Sequence, residues 1–397
     1  MFKRFLENHS LKNEDLKNLY LLIHQNGPIK KMDLMEKTHI KKTTLVRMMD
    51  ELIKQKYIKE IGFGEALVGR PPILYDIEPD CNYMIGIHIS RMKTTIMLLD
   101  LRFNPIDQLS FVMTPIHTPE FVMMKIDSTI KRFMETHHFD ERKLLGIGVA
   151  MIGPINQMEG VILKPESSLL AGWENVRIVD MIREKYPVKV IVEKSANAAV
   201  AAEHHAANYV YENILYCISG GWGMDCGIIN NGNILRNNDV HGSSYGHMII
   251  DVDGRVCSCG KRGCIVAYTS FKGIIEELYK EKALHGMMKE ELFEQASLSE
   301  MMEFFVQGDE KMKNIILKSS CYLGIGISNL VNIFNPDLVV LSGPFMFEFD
   351  EYYKQTVKSA KENSMNKREI KYSQGALKEN AASIGAAILL FNTYFSK

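Results

Sequence analysis

Hydrophobic positions along this chain follow two different spacings, and the change comes near residue 80. Ahead of that point Leu16, Leu19, Tyr20 and Ile23 recur at helical intervals and form one apolar face. Gln25-Asn26-Gly27-Pro28 ends that helix. A short second helix is predicted over about Lys31 to Lys37, with His39-Ile40 as the turn. A third starts near Lys42-Thr43, where a hydroxyl is available as N-cap, and buries Leu45, Met48, Met49, Leu52 and Ile53. Residues 57–61 then read as a strand, Gly62-Phe63-Gly64 as a turn, and residues 73–77 as a returning strand. Three helices followed by a hairpin predict a winged helix-turn-helix over residues 1–79.

Beyond Pro79-Asp80-Cys81 the pattern becomes short apolar runs separated by amphipathic helices. Residues 83–89, 94–99, 144–150 and 188–193 read as buried strands, and Glu120–Thr136 and Ile178–Lys185 as helices between them. A second strand–turn–strand opens at residues 214–219, so the α/β plan occurs twice. Ser383–Phe391 is an apolar C-terminal helix. The division expected is 1–79, then a first lobe of 80–200 plus 380–397, then a second lobe of 201–379.

A formal net charge of −1 excludes a polyelectrolyte binder, but the charge is uneven. Residues 28–60 carry nine Lys or Arg against five acids. Lys41, Lys42, Thr43, Thr44 and Arg47 lie off the apolar stripe of the third predicted helix. In a winged helix-turn-helix that helix enters the major groove, its N-terminal residues nearest the base edges. Cations and hydroxyls position phosphates there, and Arg also reads guanine. The competing reading is a solvated basic face on a dimerisation bundle. Arg70, in Gly69-Arg70-Pro71-Pro72, lies in the predicted wing; a rigid Pro turn with an incidental Arg is the alternative. No apolar run is long enough to span a membrane or resembles a signal peptide, which points to a cytoplasmic protein.

Three of the seven cysteines, Cys257, Cys259 and Cys264, fall within eight residues, with His247 ten positions ahead. Three thiolates and an imidazole are a complete tetrahedral set for one structural zinc per chain. Gly260 and Gly263 allow the tight bends such a cluster needs. Cys81, Cys217, Cys226 and Cys321 are scattered, as in a reducing compartment.

The stretch Gly-His-x6-Gly-x2-Cys-x-Cys-Gly-x2-Gly-Cys over residues 246–264 resembles the signature of the ROK family of sugar kinases and sugar-responsive repressors. The resemblance runs from about residue 80 to the C-terminus, and residues ahead of it resemble the DNA-binding half of the family's repressors. It implies a two-lobed α/β actin-like ATPase (sugar kinase-like) fold behind the winged helix-turn-helix. It also implies a homodimer or higher homo-oligomer on double-stranded operator DNA, and a sugar or sugar derivative as effector. In the repressors the residue matching Arg70 reaches the DNA backbone or minor groove.

The resemblance separates kinase from regulator residue by residue. The family's kinases carry Asp-x-Gly-Gly-Thr at the first phosphate turn; this chain has His88-Ile89-Ser90-Arg91-Met92. They read Glu-Asn-Asp-Ala-Asn around the catalytic base; this chain reads Glu193-Lys194-Ser195-Ala196-Asn197, and a serine of ordinary pKa does not accept the proton. Ser244 and Val266 stand where the kinases grip sugar hydroxyls with Glu. The expectation is therefore a non-enzymatic transcriptional regulator, most simply a repressor. An active sugar kinase with an appended DNA-binding module is the alternative, and a constitutive DNA binder without effector a third. Lys194, Ser195, Asn197, Ser244 and His247 are the candidate effector contacts, or else a polar cleft left without a ligand.

Overall fold

The computed structural model describes residues 2–65, 71–164, 172–219, 221–236, 245–281, 302–303, 305–366 and 368–395. Arg70 and Ser244 fall outside these. The N-terminal unit runs α1 (Phe2–Glu7), α2 (Leu11–Asn26), β1 (Ile29–Lys30), α3 (Lys31–Thr38), α4 (Lys42–Lys54), β2 (Ile58–Phe63) and β3 (Ile73–Ile77). The strands form an antiparallel sheet in the order β1-β3-β2. Leu16, Leu19, Tyr20 and Ile23 of α2 face Leu45, Met48, Met49 and Leu52 of α4 across one buried core.

Two local expectations are corrected, and one element appears that the pattern did not predict. Gly62 and Phe63 belong to β2 and not to a turn. The register against β3 shifts between Glu60 and Gly62, and Gly62 has φ +132°, so the glycine serves a bulge. No threonine hydroxyl caps α4: the helix starts directly from Lys41, which places Thr43 and Thr44 inside the first turn. Helix α1 has too few residues for a periodic signal, yet Phe2 and Phe5 pack on Tyr20 and Tyr57.

The body contains two five-stranded sheets of the same plan. The first comprises β4 (Tyr83–Ile89), β5 (Lys93–Leu99), β6 (Pro105–Val112), β7 (Leu144–Met151) and, after the short β8 (Ile155–Asn156) and β9 (Val161–Ile162), β10 (Lys189–Lys194). Its order is β10-β7-β4-β5-β6, antiparallel through β4-β5-β6 and parallel through β4-β7-β10. The second comprises β11 (Ile214–Ile218), β12 (Asp225–Asn230), β13 (Asn233–Ile234), β14 (Leu338–Ser342) and β15 (Lys371–Ser373). Its order, β13-β12-β11-β14-β15, repeats the pattern of an antiparallel meander continued by parallel strands. Helices α5 (Pro119–Thr136) and α6 (Ile178–Arg183) lie between strands of the first sheet. Helices α8 (Val266–Thr269), α9 (Phe271–Lys280), Glu310–Phe334 and Asp350–Asn363 occur with the second. Among the described residues no helix is long and apolar enough to cross a membrane.

Two helices join the sheets. Helix α7 (Ser195–Ala206) follows β10, and the C-terminal helix Ala381–Asn392 is buried from Ala381 to Phe391. Their backbones approach so closely that a Cβ on Gly385 would lie 1.7 Å from the Ala198 carbonyl oxygen. A Cβ on Gly148 of β7 would lie 2.1 Å from the Ala386 oxygen. Glycine at these points is a packing requirement, which explains an apolar helix without a polar face.

The N-terminal unit docks at this seam. His24 of α2 donates from Nε2 to the Leu101 carbonyl (2.6 Å), and burial pushes its pKa down to about 3, so it is neutral. Arg102 donates to the His24 carbonyl and pairs with Asp76 of β3. Phe103, with φ +63°, sits edge-on to His24, His205 of α7 and Phe391 of the C-terminal helix.

Candidate functional site

The exposed basic face of the N-terminal unit is built by α3 and α4. His39 ends α3 in a left-handed conformation (φ 54°), and Lys41 begins α4 two residues later. The buried stripe holds α4 to the unit and leaves Lys41, Lys42, Thr43 and Arg47 exposed, with Thr44 half-buried. Lys41, Lys42 and Arg47 have no ion-pair partner among the described residues. Such a surface of cations and hydroxyls around a helix N-terminus has the chemistry of a phosphate and base-edge contact.

The four metal-ligand candidates converge. One donor atom from each of His247, Cys257, Cys259 and Cys264 lies within 4.8 Å of all the others. Cys257 Sγ is 3.5 Å from His247 Nδ1, and Cys259 Sγ is 3.7 Å from Cys264 Sγ. The predicted glycine bends are present: Gly260 has φ +84° and Gly263 φ +72°. Backbone bonds Cys257 N to Lys261 O (2.8 Å) and Gly263 N to Arg255 O (2.8 Å) fix the loop. Arg255 then anchors it to α9 through Glu277 (2.8 Å) and stacks over the Tyr268 ring. These four residues could hold one ion in a closed shell; they leave no fifth ligand position aimed at a substrate.

A cleft of about 2090 Å³ opens between the two sheets, lined by both lobes. At its floor β10 runs into α7, bringing Lys194 and Ser195 to the surface of the cleft. His247 also lines it, at the edge of the metal cluster. Asn197 does not: its amide donates to Glu193 Oε1 (3.0 Å), away from the cleft. Glu193 is saturated, since it also accepts from Gln157, from the Lys194 backbone N–H (2.9 Å) and from Arg236 (3.0 Å). The hairpin replacing the first phosphate turn is closed on itself by Ser90, whose Oγ donates to the Lys93 carbonyl (2.8 Å). His88 beside it is half-buried, and desolvation pushes its pKa down to about 4. Between β11 and β12 the loop is not a tight hairpin. It is docked by Gly221 O accepting from Phe271 N (2.9 Å) and by Trp222 against Phe271.

One cleft residue was missed by sequence reasoning. Asp225 opens β12 and is half-buried in the floor, and desolvation raises its pKa to about 7, opposed by the Cys226 N–H and by Lys194. A lone carboxylate inside the apolar stretch Met224-Asp225-Cys226-Gly227-Ile228-Ile229 was the available signal.

Comparisons with known proteins follow this architecture. The xylose repressor of Bacillus subtilis (strain 168) is 30% identical over 334 residues, covering 83% of this chain and 82% of that protein. A crystal structure of a ROK family transcriptional regulator, a homolog of the E. coli MLC protein, superposes with a TM-score of 0.75 at 22% identity over 96% of both chains. The ROK hexokinase of Thermus thermophilus matches at TM-score 0.63 and 23% identity over 78% of this chain and 98% of its own, so the two-lobed sugar-kinase-like fold is common to both kinds. Residues 84–393 match the ROK family, and with that span and the 30% identical relative the chain belongs to it.

Proposed function

We propose that this protein is a DNA-binding transcriptional regulator, acting as a repressor, whose sugar-kinase-like body no longer transfers phosphate. The observation that carries this reading is the exposed basic start of α4, unpaired among the described residues, on a buried stripe and mounted on a body whose relatives are named repressors. Residues 1–79 form the winged helix-turn-helix reader, with Lys41, Lys42, Thr43, Thr44, Arg47 and the wing's Arg70 on DNA. The lobes are 80–200 with 380–397, and 201–379, and α7 with the C-terminal helix is their joint. The protein works as a homodimer, because two-fold symmetry matches two half-sites of an operator. A ligand between the lobes changes their angle and so moves the docked readers.

His247, Cys257, Cys259 and Cys264 hold a structural zinc. Zinc–sulfur bonds of about 2.3 Å and zinc–nitrogen bonds of about 2.0–2.1 Å give tetrahedral edges near 3.8 and 3.5 Å. The distances of 3.7 and 3.5 Å fit those edges. The ion ties the loop before α8 to the second lobe and so shapes one wall of the cleft.

Phosphoryl transfer is lost because no carboxylate stands at the start of α7 and no glycine turn follows β4. Purified protein with ATP, magnesium and a sugar panel should release no sugar-dependent ADP, and Ser195→Asp alone should not restore turnover. Sugar phosphorylation by the unaltered chain would overturn this part and favour the kinase alternative.

The regulator reading is tested by titrating the chain's own upstream DNA at two salt concentrations. Arg47→Ala should leave folding intact. It should cost about 1–3 kcal/mol at specific sites if Arg47 reads a guanine. If Arg47 meets only phosphate, affinity should fall on all sequences and the salt slope shrink by roughly one unit. No difference on any DNA would remove α4 as the reader.

A further inference from the structure

Resting on the reading of the cleft as an effector pocket, we infer that the start of α7 is an anion seat, and that the effector is an anionic sugar, a phosphate ester or a sugar acid.

Three features meet at one point of the cleft floor, and all of them call for an acceptor. Lys194 is 9% exposed, yet its ammonium has no ion-pair partner among the described residues. A buried cation without an ion pair in contact is costly, and a ligand anion reduces that cost. Ser195 is 8% exposed, and its Oγ, buried on the cleft wall, has no hydrogen-bond partner among the described residues. An unmade bond at a buried hydroxyl costs about 1–3 kcal/mol, so it marks a place where a partner belongs. Helix α7 begins at this same point without a side-chain cap, so its first-turn N–H groups and the positive end of its dipole face the floor. Cation, hydroxyl and helix N-terminus together form the donor set that binds phosphate and carboxylate groups.

The neighbouring carboxylates do not cancel this charge. Glu193, one residue before Lys194, is engaged by Gln157, Asn197 and Arg236. Asp225 lies near enough to feel Lys194, but burial holds its pKa near 7, so close to neutrality it carries only part of a charge. On the β4–β5 hairpin of the same sheet, Arg91 adds a cation and His88 a neutral ring to the cleft, while Lys93 is matched there by Glu379 (3.0 Å). The sugar ring would lie toward His247 and the metal loop, its charged substituent on Lys194 and Ser195.

The test uses the full chain without DNA, so that failure of the regulator reading leaves it unaffected. Calorimetric titration and thermal shift compare glucose, glucose 6-phosphate, glucuronate, inorganic phosphate and, as an ionic-strength control, chloride. Glucose 6-phosphate or glucuronate should bind, inorganic phosphate should bind more weakly, and glucose should bind least. Lys194→Met should weaken the anionic ligands about 10-fold or more, since a charged hydrogen bond is lost. Lys194→Arg should restore most of the affinity, and Ser195→Ala should cost less. Unchanged melting temperatures of the free variants show that they fold. Equal binding of glucose and its anionic forms would overturn the inference, as would no binding by any phosphate or acid. Full affinity in folded Lys194→Met would do the same.

Discussion

Replacing Phe103 with Ala removes the side chain that the reader, α7 and the C-terminal helix all touch. Phe103 is 4% exposed and makes three edge-to-face contacts: His24 at 5.2 Å, His205 at 4.9 Å and Phe391 at 5.4 Å. Truncating a buried Phe to Ala costs about 3–5 kcal/mol, partly from the cavity left behind. The left-handed backbone at this position gives no relief, because Ala is strained there as Phe is. A unit of roughly 80 residues has an intrinsic stability of only about 4–12 kcal/mol, so a loss of this size at its docking face is large. The reader should therefore begin to unfold or undock before the body. Both tryptophans, Trp173 and Trp222, lie in the body, so their fluorescence follows the body alone, whereas far-ultraviolet dichroism also reports the helices of the reader. In denaturant the two signals should coincide for the unaltered chain. For Phe103→Ala the dichroism should depart first, with the fluorescence midpoint less displaced. Phe103→Leu should lie between. Coincident transitions in Phe103→Ala, or a total cost under about 1 kcal/mol, would refute the claim that this side chain couples reader to body.

Cys257→Ser should lower the metal content well below one zinc per chain and reduce the melting temperature by several degrees, since each kcal/mol is worth roughly 2–4 °C in a body of this size. Elemental analysis of chelator-free protein finding far less than one zinc in the unaltered chain would defeat the assignment. Asp225→Asn should change the pH dependence of stability. An acid whose folded pKa of about 7 exceeds its unfolded value near 4 lends stability below about pH 4, and loses it as pH rises through 7. The variant should therefore gain on the unaltered protein between pH 5 and pH 8, as read from melting temperatures. A gain by the unaltered protein over that interval would mean that an ion pair with Lys194 outweighs desolvation.

Local signals carried far in this chain. The stripe Leu45, Met48, Met49 and Leu52 fixes the buried side of α4, and through it which residues face outward. The strands at 83–89 and 144–150 were legible as apolar runs bounded by polar turns. The cluster of candidate metal ligands was legible because its residues are close in sequence and its bends need glycine. Where the local signal was weak, the reading failed: α1 and β1 are too short for a period, and Gly62 looked like a turn because bulges and turns use the same residue for the same torsional reason.

By itself, then, the sequence determined most of the elements, the His and Cys donors of the candidate metal cluster and the absence of a carboxylate at the start of α7, all properties of residues near one another along the chain. Only the tertiary structure decided that Asn197 turns to Glu193 and that Asp225 lines the same cleft as Lys194. Only it seated Phe103 between His24, His205 and Phe391. Apart from Asn197 and Glu193, which lie four positions apart, these pairings join residues tens to hundreds of positions apart. Their energies come from desolvation and close packing, which arise only when separate segments exclude water from the same volume.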